Sequence, residues 1–304
     1  MLNIIGKRFW YFLISGIVII AGIIALIVFG LKPGIEFSSG SLLTVSFEQK
    51  VDEGQVKQAL AELGYGTAIV QHTGAGDFLI RLPELSDAAK ADLETGLTAS
   101  LGNLEVKGFD SVSPMIAAET TRNAAIAVIV SAFAMLLYIS WAFHRMPNPL
   151  RWGACAIASL MHDVLVVIGV FAILSGIFGW QIDLMFVAGV LTVIGYSIND
   201  TIVIFDRIRE NIRNYGDADF EGVVNHSLVE TMSRTLITGS GTLFVLIALL
   251  LFIGAPIQNL IVVLLVGIIT GTYSSIGTAA SLLVVWKKGE WGRFIGRKPV
   301  AQQT

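Results

Sequence analysis

Two aspartates stand where an aspartate is costly. Six runs of the chain are apolar enough to cross a bilayer, and the only carboxylates inside them are Asp163 in the third run and Asp200 in the fourth. An ionised group at such depth costs at least about 2.5–3.5 kcal/mol, so a carboxylate retained there is read first as functional. His162 precedes Asp163, while Tyr196, Ser197, Asn199 and Thr201 flank Asp200 with hydroxyl and amide groups. Arg234 heads the fifth run. The chemistry open to this set is proton transfer. A carboxyl carried between an apolar setting and one beside an arginine binds a proton in the first and releases it in the second. The plainer alternative is that the polar side chains only join helices and that Arg234 snorkels to the membrane surface.

Other chemistries lack their parts. His72, His144, His162 and His226 show no ligand spacing, so no metal site is expected. No glycine-rich loop ends in GK[ST], so no nucleotide is expected, nor any other cofactor. A membrane aspartyl protease built on Asp163 and Asp200 would show a glycine before one aspartate, but Asn199 precedes Asp200. Gly239, Ser240 and Gly241 do not form a GxSxG nucleophile turn. Cys155 is the single cysteine, which excludes an intramolecular disulfide. The chain is therefore expected not to be an enzyme, and no nucleic-acid partner is expected.

The elements that position these residues follow from hydropathy. With 54% hydrophobic and 14% charged residues, and a mean hydropathy of +0.74, the chain is not an ordinary soluble domain. Crossing the hydrocarbon takes about 20 apolar residues, and runs 10–30, 123–143, 154–178, 184–205, 235–253 and 260–286 qualify. Lys7 and Arg8, Arg145 and Arg151, Arg207, Arg209 and Arg213, and Lys287, Lys288, Arg293, Arg297 and Lys298 all fall on one face. The turns 179–183 and 254–259 have no basic residue. The positive-inside rule then puts both termini in the cytoplasm of a multi-pass inner-membrane protein. At about 1.5 Å per residue, Asp200 lies about 24 Å from the outer end of its run and Asp163 about 14 Å from the inner end of its own, both in the inner half.

Segment 31–122 has the mixed texture of a domain that folds in water. Residues 41–47 alternate as a strand, 53–63 place Val56, Leu60 and Leu63 at helical spacing, and 67–72 and 77–82 form a hairpin around Thr73–Gly76. Residues 86–101 form a second, serine-capped helix and 103–112 a last strand. The expected organisation is an N-terminal stretch and first helix (1–30), a ferredoxin-like βαββαβ outer domain (31–122), helices two to six (123–286) and a cytoplasmic tail (287–304). The fold class is a membrane all-α protein with one small α+β domain between its first two helices.

One string narrows the reading further. GYSINDTIVIFDRIRENIR at 195–213, which contains Gly195, Asp206 and Arg207, closely resembles the signature of the SecF family of export proteins. PGIEFSSGSLLTV at 33–45, SLMHDV at 159–164 and SRT at 233–235 resemble other segments of that family. The resemblance implies a six-helix subunit that pairs with a SecD subunit, shares the resistance-nodulation-division core and uses the proton-motive force. Its expected partners are SecD, the Sec translocation channel, unfolded preprotein and protons. It also implies proton-pathway roles for Asp200 and Arg234. The family usually has paired glycines where this chain has Ser39 before Gly40, and it has an asparagine and threonines after the arginine where Ile237, Gly239 and Gly241 stand here. A stand-alone small-molecule exporter of the same superfamily is the alternative, but such exporters carry two six-helix halves with two large outer domains.

Overall fold

The computed structural model of the chain describes residues 2–72, 76–216, 218–252 and 257–295. The hairpin turn at Thr73, Gly74 and Ala75, the end of the fifth run with the first part of the turn 254–259 (253–256), and residues 296–304 of the tail lie outside the described residues. Among the described residues six helices are long and apolar enough to cross a membrane. These are α1 (Arg8–Phe29), α5 (Pro114–Ala142), α6 (Pro149–Phe178), α7 (Leu184–Tyr215), α8 (Phe220–Phe252), and α9 (Gln258–Ser274), which continues through the π-helical turn Ser275–Ala279 into α10 (Ala280–Lys288).

Several helices outrun their apolar stretches. α5 begins at Pro114, nine residues before the run expected at 123, because Ser113 caps it through the Ile116 amide and Pro114 fits the first helical position. α7 runs on to Tyr215 and α8 starts at Phe220. The basic segment after the fourth run is therefore largely helical. Arg207 makes a two-pronged pair with Glu230 (2.7 and 2.9 Å), and Asn211 reaches Ser227 (2.9 Å), so the two extensions hold each other. At the same end Arg8 meets Glu221 (2.7 Å) and Glu290 (2.6 Å), and Lys288 also pairs with Glu221. The basic ends of α1 and α10 thus gather on one face.

Between α1 and α5 lie β1 (Lys32–Pro33), α2 (Ile35–Ser38), β2 (Gly40–Phe47), α3 (Glu53–Glu62), β3 (Ile69–His72), β4 (Phe78–Leu82), α4 (Asp87–Leu101) and β5 (Leu104–Val112). Asp52 and Gln55 form a capping box on α3, and Ser86 caps α4. The four long strands form one antiparallel sheet in the order β3-β4-β2-β5. Alternation turns Leu43, Val45, Phe78 and Ile80 to one face, where Val56, Leu60, Leu93 and Leu97 of the two helices bury them. This core is separate from that of the bundle.

In the bundle, half of the apolar window is buried in α6 and in α7, but only 17% in α1 and α8 and 6% in α5. Small residues let the central helices close up, as they do where lipid offers no hydrophobic drive. A Cβ on Gly169 of α6 would stand 2.6 Å from the Gly22 Cα of α1, and one on Gly267 of α9 would collide with the Val193 side chain of α7. A short sixth strand, β6 (Gln181–Ile182), follows α6 and pairs in parallel with β1.

Candidate functional site

The two aspartates occupy unlike surroundings. Asp163 is fully buried, and its Oδ2 accepts hydrogen bonds from Ser197 Oγ of α7 (2.5 Å) and Ser274 Oγ of α9 (2.8 Å). Its Oδ1 lies 2.9 Å from Nδ1 of His162. Three helices meet on one carboxylate. Gly271 permits this, because a Cβ there would come within 3.2 Å of the Ser197 Cβ. One turn further along α7, the Thr201 and Ser275 hydroxyls are 2.9 Å apart. Ser275 opens the π-helical turn, a feature frequent at functional sites. The His162 ring lies 6.1 Å from that of Tyr273, whose hydroxyl donates to the Tyr11 carbonyl of α1 (2.8 Å).

Asp200 is 5% exposed, and its Oδ2 has no hydrogen-bond partner among the described residues. Arg234 of α8 acts on it through charge, not through a hydrogen bond, and is itself exposed on the bundle surface. The Tyr196, Thr235 and Thr272 hydroxyls are also buried and unpartnered. Gly239 leaves bare backbone opposite two of them, since a Cβ there would be 3.2 Å from Thr272 Oγ1 and 3.8 Å from Tyr196 OH. Tyr196 also neighbours Thr242 without reaching hydrogen-bond geometry. Unsatisfied polar groups at this depth are where buried water is held. An ionised oxygen without a partner in such a place is costly, so the state of Asp200 depends on what stands beside it.

The residues expected around Asp200 therefore divide. Tyr196 lies beside it, one helical turn away, but Ser197 and Thr201 turn to Asp163 and Ser275. Asn199 is exposed on another face of α7, because neighbouring helical positions diverge by about 100°. Asp206 pairs with Arg209 (2.5 Å), and with Arg207 it belongs to the ion-paired extension beyond the apolar stretch. Gly195 is exposed with open space at its Cβ position. What the sequence reading missed is the contribution of the last membrane helix, through Thr272, Tyr273, Ser274 and Ser275. The signal was there, as six of the nine residues at 270–278 carry a hydroxyl within an apolar run.

A family model described as protein export membrane protein SecD/SecF, C-terminal, matches residues 92–289, more than half of the chain, and one described as the SecD/SecF GG motif matches 24–51. The chain belongs to the SecD/SecF protein export family. It is 42% identical, over the whole of both chains, to a protein named protein translocase subunit SecF from Thermobaculum terrenum. It is 41% identical to a protein of the same name from Anaerolinea thermophila, covering 99% of this chain and 100% of that one. Among solved structures it resembles the crystal structure of SecDF, a translocon-associated membrane protein from Thermus thermophilus, with a TM-score of 0.85 and 33% identity. That match covers 94% of this chain but spans only 38% of the larger one.

Proposed function

We propose that this chain is a SecF-type accessory subunit of the Sec protein translocase, non-enzymatic, which works with a SecD-like partner half and uses the proton-motive force to promote preprotein export. The observation that carries the proton role is Asp200, a carboxylate inside a membrane helix with an unpartnered oxygen and the charge of Arg234 acting on it. Water in the seam between α7, α8 and α9, beside Tyr196 and Thr272, brings the proton to Asp200. Asp163, fully hydrogen-bonded across three helices, holds the site together and is the lesser member of the pathway.

The need for a partner half is supported by α8. Arg234, Thr238 and Gly241 are exposed at helical spacing on a helix whose apolar window is 17% buried, and a bare arginine in hydrocarbon is costly. A second six-helix half covers that face and lets Arg234 approach Asp200. The SecDF relative, in which this chain's counterpart is 38% of a longer protein, supports that arrangement over a stand-alone exporter. We read the outer domain as ferredoxin-like, in keeping with its strand order, and place it outside an inner membrane with both termini in the cytoplasm, where it meets preprotein emerging from the channel.

The test is gradient-dependent export by vesicles containing the assembled complex. Asp200→Asn keeps size and much of the hydrogen-bonding capacity but removes titration, so it is expected to assemble and to lose gradient stimulation. Normal stimulation in an assembled Asp200→Asn complex would sink the proton role and favour a passive scaffold.

A further inference from the structure

The outer domain meets the bundle in two places, where α2 packs on α5 and Thr121 donates to the Phe37 carbonyl (3.4 Å), and at a five-residue turn, 179–183, which joins α6 to α7. β6 within this turn pairs with β1 at the exit of α1, and the Gly34 amide donates to the Ile182 carbonyl at 2.7 Å. Gly34 permits that approach, because a Cβ there would come within 2.9 Å of the same carbonyl oxygen. The outer sheet reaches the turn with two side chains from its non-core face. Gln71 of β3 donates to the Gly179 carbonyl (2.6 Å). Arg81 of β4 donates to the Pro33 carbonyl (2.7 Å), to Oε1 of Gln181 (3.5 Å) and to the Ser38 hydroxyl. From the bundle, Asn259 at the start of α9 donates to the Gln181 carbonyl (3.0 Å) and to Asp183 (2.7 Å). Asp183 in turn caps α7 through the Phe186 amide (2.7 Å). An open cleft of about 540 Å³ lies alongside, lined by Leu31, Thr67, Ile69 and Pro83 among others. At this turn the domain is held by hydrogen bonds beside an open cleft, while α2 against α5 anchors it elsewhere.

We propose that the turn 179–183 transmits movement of α7 to the outer domain, and that Gln71 and Arg81 are the positioning residues that grip it. The inference rests on the proton-coupled reading of Asp200. α7 begins at Leu184, directly after the turn, and Asp200 stands about 24 Å along the same helix at about 1.5 Å per residue. A helix is stiff over that length, so a shift or rotation forced at Asp200 appears at its capped end. There the displaced atoms are the carbonyls and the Gln181 amide that the sheet holds. The signal reaches β3 and β4 directly. The cleft is the space into which the domain rocks, and the few hydrogen bonds of the junction are bonds that can exchange between two arrangements.

The experiment uses the assembled complex in membrane vesicles and reads gradient-stimulated export together with amide hydrogen exchange. The paired variant Gln71→Ala/Arg81→Ala is expected to lose gradient stimulation at least tenfold while still co-purifying with its partner. Asn259→Leu, which releases the turn from the bundle side and leaves the outer domain untouched, is expected to lose it too, and Arg81→Lys to retain part. A structural defect alone would lower exchange protection of the outer-domain core. Transmission instead predicts normal protection of β2 and β4 and a change at 32–34 on Asp200→Asn that no longer spreads to β3 in the paired variant. If Asp200→Asn abolishes stimulation while both junction variants stay within twofold of wild type, the transmission inference falls alone. If Asp200→Asn exports normally, the proton-coupled reading falls and this inference with it.

Discussion

Ser39 occupies a backbone conformation that suits glycine. With φ 61° and ψ 172° it ends the short helix α2, its amide bonded to the Ile35 carbonyl at 2.9 Å, and Gly40 follows at φ 114° before β2 begins. That region is essentially reserved for glycine and costs other residues on the order of 1–3 kcal/mol. Ser39→Gly removes the strain but adds freedom to the unfolded chain worth about 0.5–1 kcal/mol. The expected net gain is therefore about 1 kcal/mol, or about a fivefold change in the folded-to-unfolded ratio. The assay is amide exchange of β2 under conditions where it opens with the whole outer domain, in which Ser39→Gly should slow exchange about fivefold. Ser39→Ala, which keeps the Cβ, should not. Equal or faster exchange in Ser39→Gly would mean that the Ser39 side chain contributes more than its backbone costs, and the strain argument would fail. Ser39 and Gly40 lie within residues 24–51, which match the SecD/SecF GG motif.

Other outcomes follow from particular contacts. Gly169→Ala should drive α1 from α6, since its Cβ would meet backbone at 2.6 Å, and lower the melting temperature in detergent by an amount matching about 1–3 kcal/mol. Gly195→Ala, with nothing within 4 Å, should melt no lower than wild type. Because Arg234 acts on Asp200 through charge and not through a paired hydrogen bond, Arg234→Lys should keep most gradient-stimulated export and Arg234→Ala should lose it. Burial pushes the Asp183 and Glu36 carboxyls up, and Asp183 and Asp110 push Glu36 further. An acid raised in the folded state contributes stability fully below its unfolded pKa and loses it as pH rises through the folded value. Exchange at Gly34 should therefore quicken as pH is raised from about 4 towards neutrality, relative to a Glu36→Gln variant, once intrinsic exchange is corrected. Reporter fusions after residues 77 and 217 should fall on opposite sides of the membrane, the first outside; the reverse would invert any proton path.

The spans were legible because twenty-residue apolar runs have few alternative fates in a folded chain. Their ends were not, since α5, α7 and α8 extend past their apolar runs on polar turns held by caps and ion pairs, which hydropathy does not register. The four longer strands and the helices α3 and α4 could be read from alternation, helical spacing and the cap at Ser86, but β1 and α2 could not. Strand order could not, because pairing depends on which hydrophobic faces meet in space. Asp163 and Asp200 stood out as charges in an apolar background, yet sequence adjacency misassigned their company. Ser197 and Thr201 were placed around Asp200, whereas their spacing of four puts both on the face turned to α9, and Asn199 faces elsewhere.

The same geometry argues for a division of labour between the carboxylates. Asp163 has three partners, Ser197, Ser274 and His162, so moving it means breaking contacts among α6, α7 and α9 at once. Asp200 has an oxygen with none, and its nearest charge sits on α8, a helix mostly uncovered in the single chain. A group that must exchange protons while helices move is better served by few bonds than by many, because each bond held to one state is a barrier to the other. On the function proposed above, Asp163 fixes α7 against α9 and Asp200 senses what approaches from α8. The tightness of the first, reinforced by Gly267 against Val193 and Gly271 against Ser197, lets a change at the second move α7 as a unit toward the turn at its outer end.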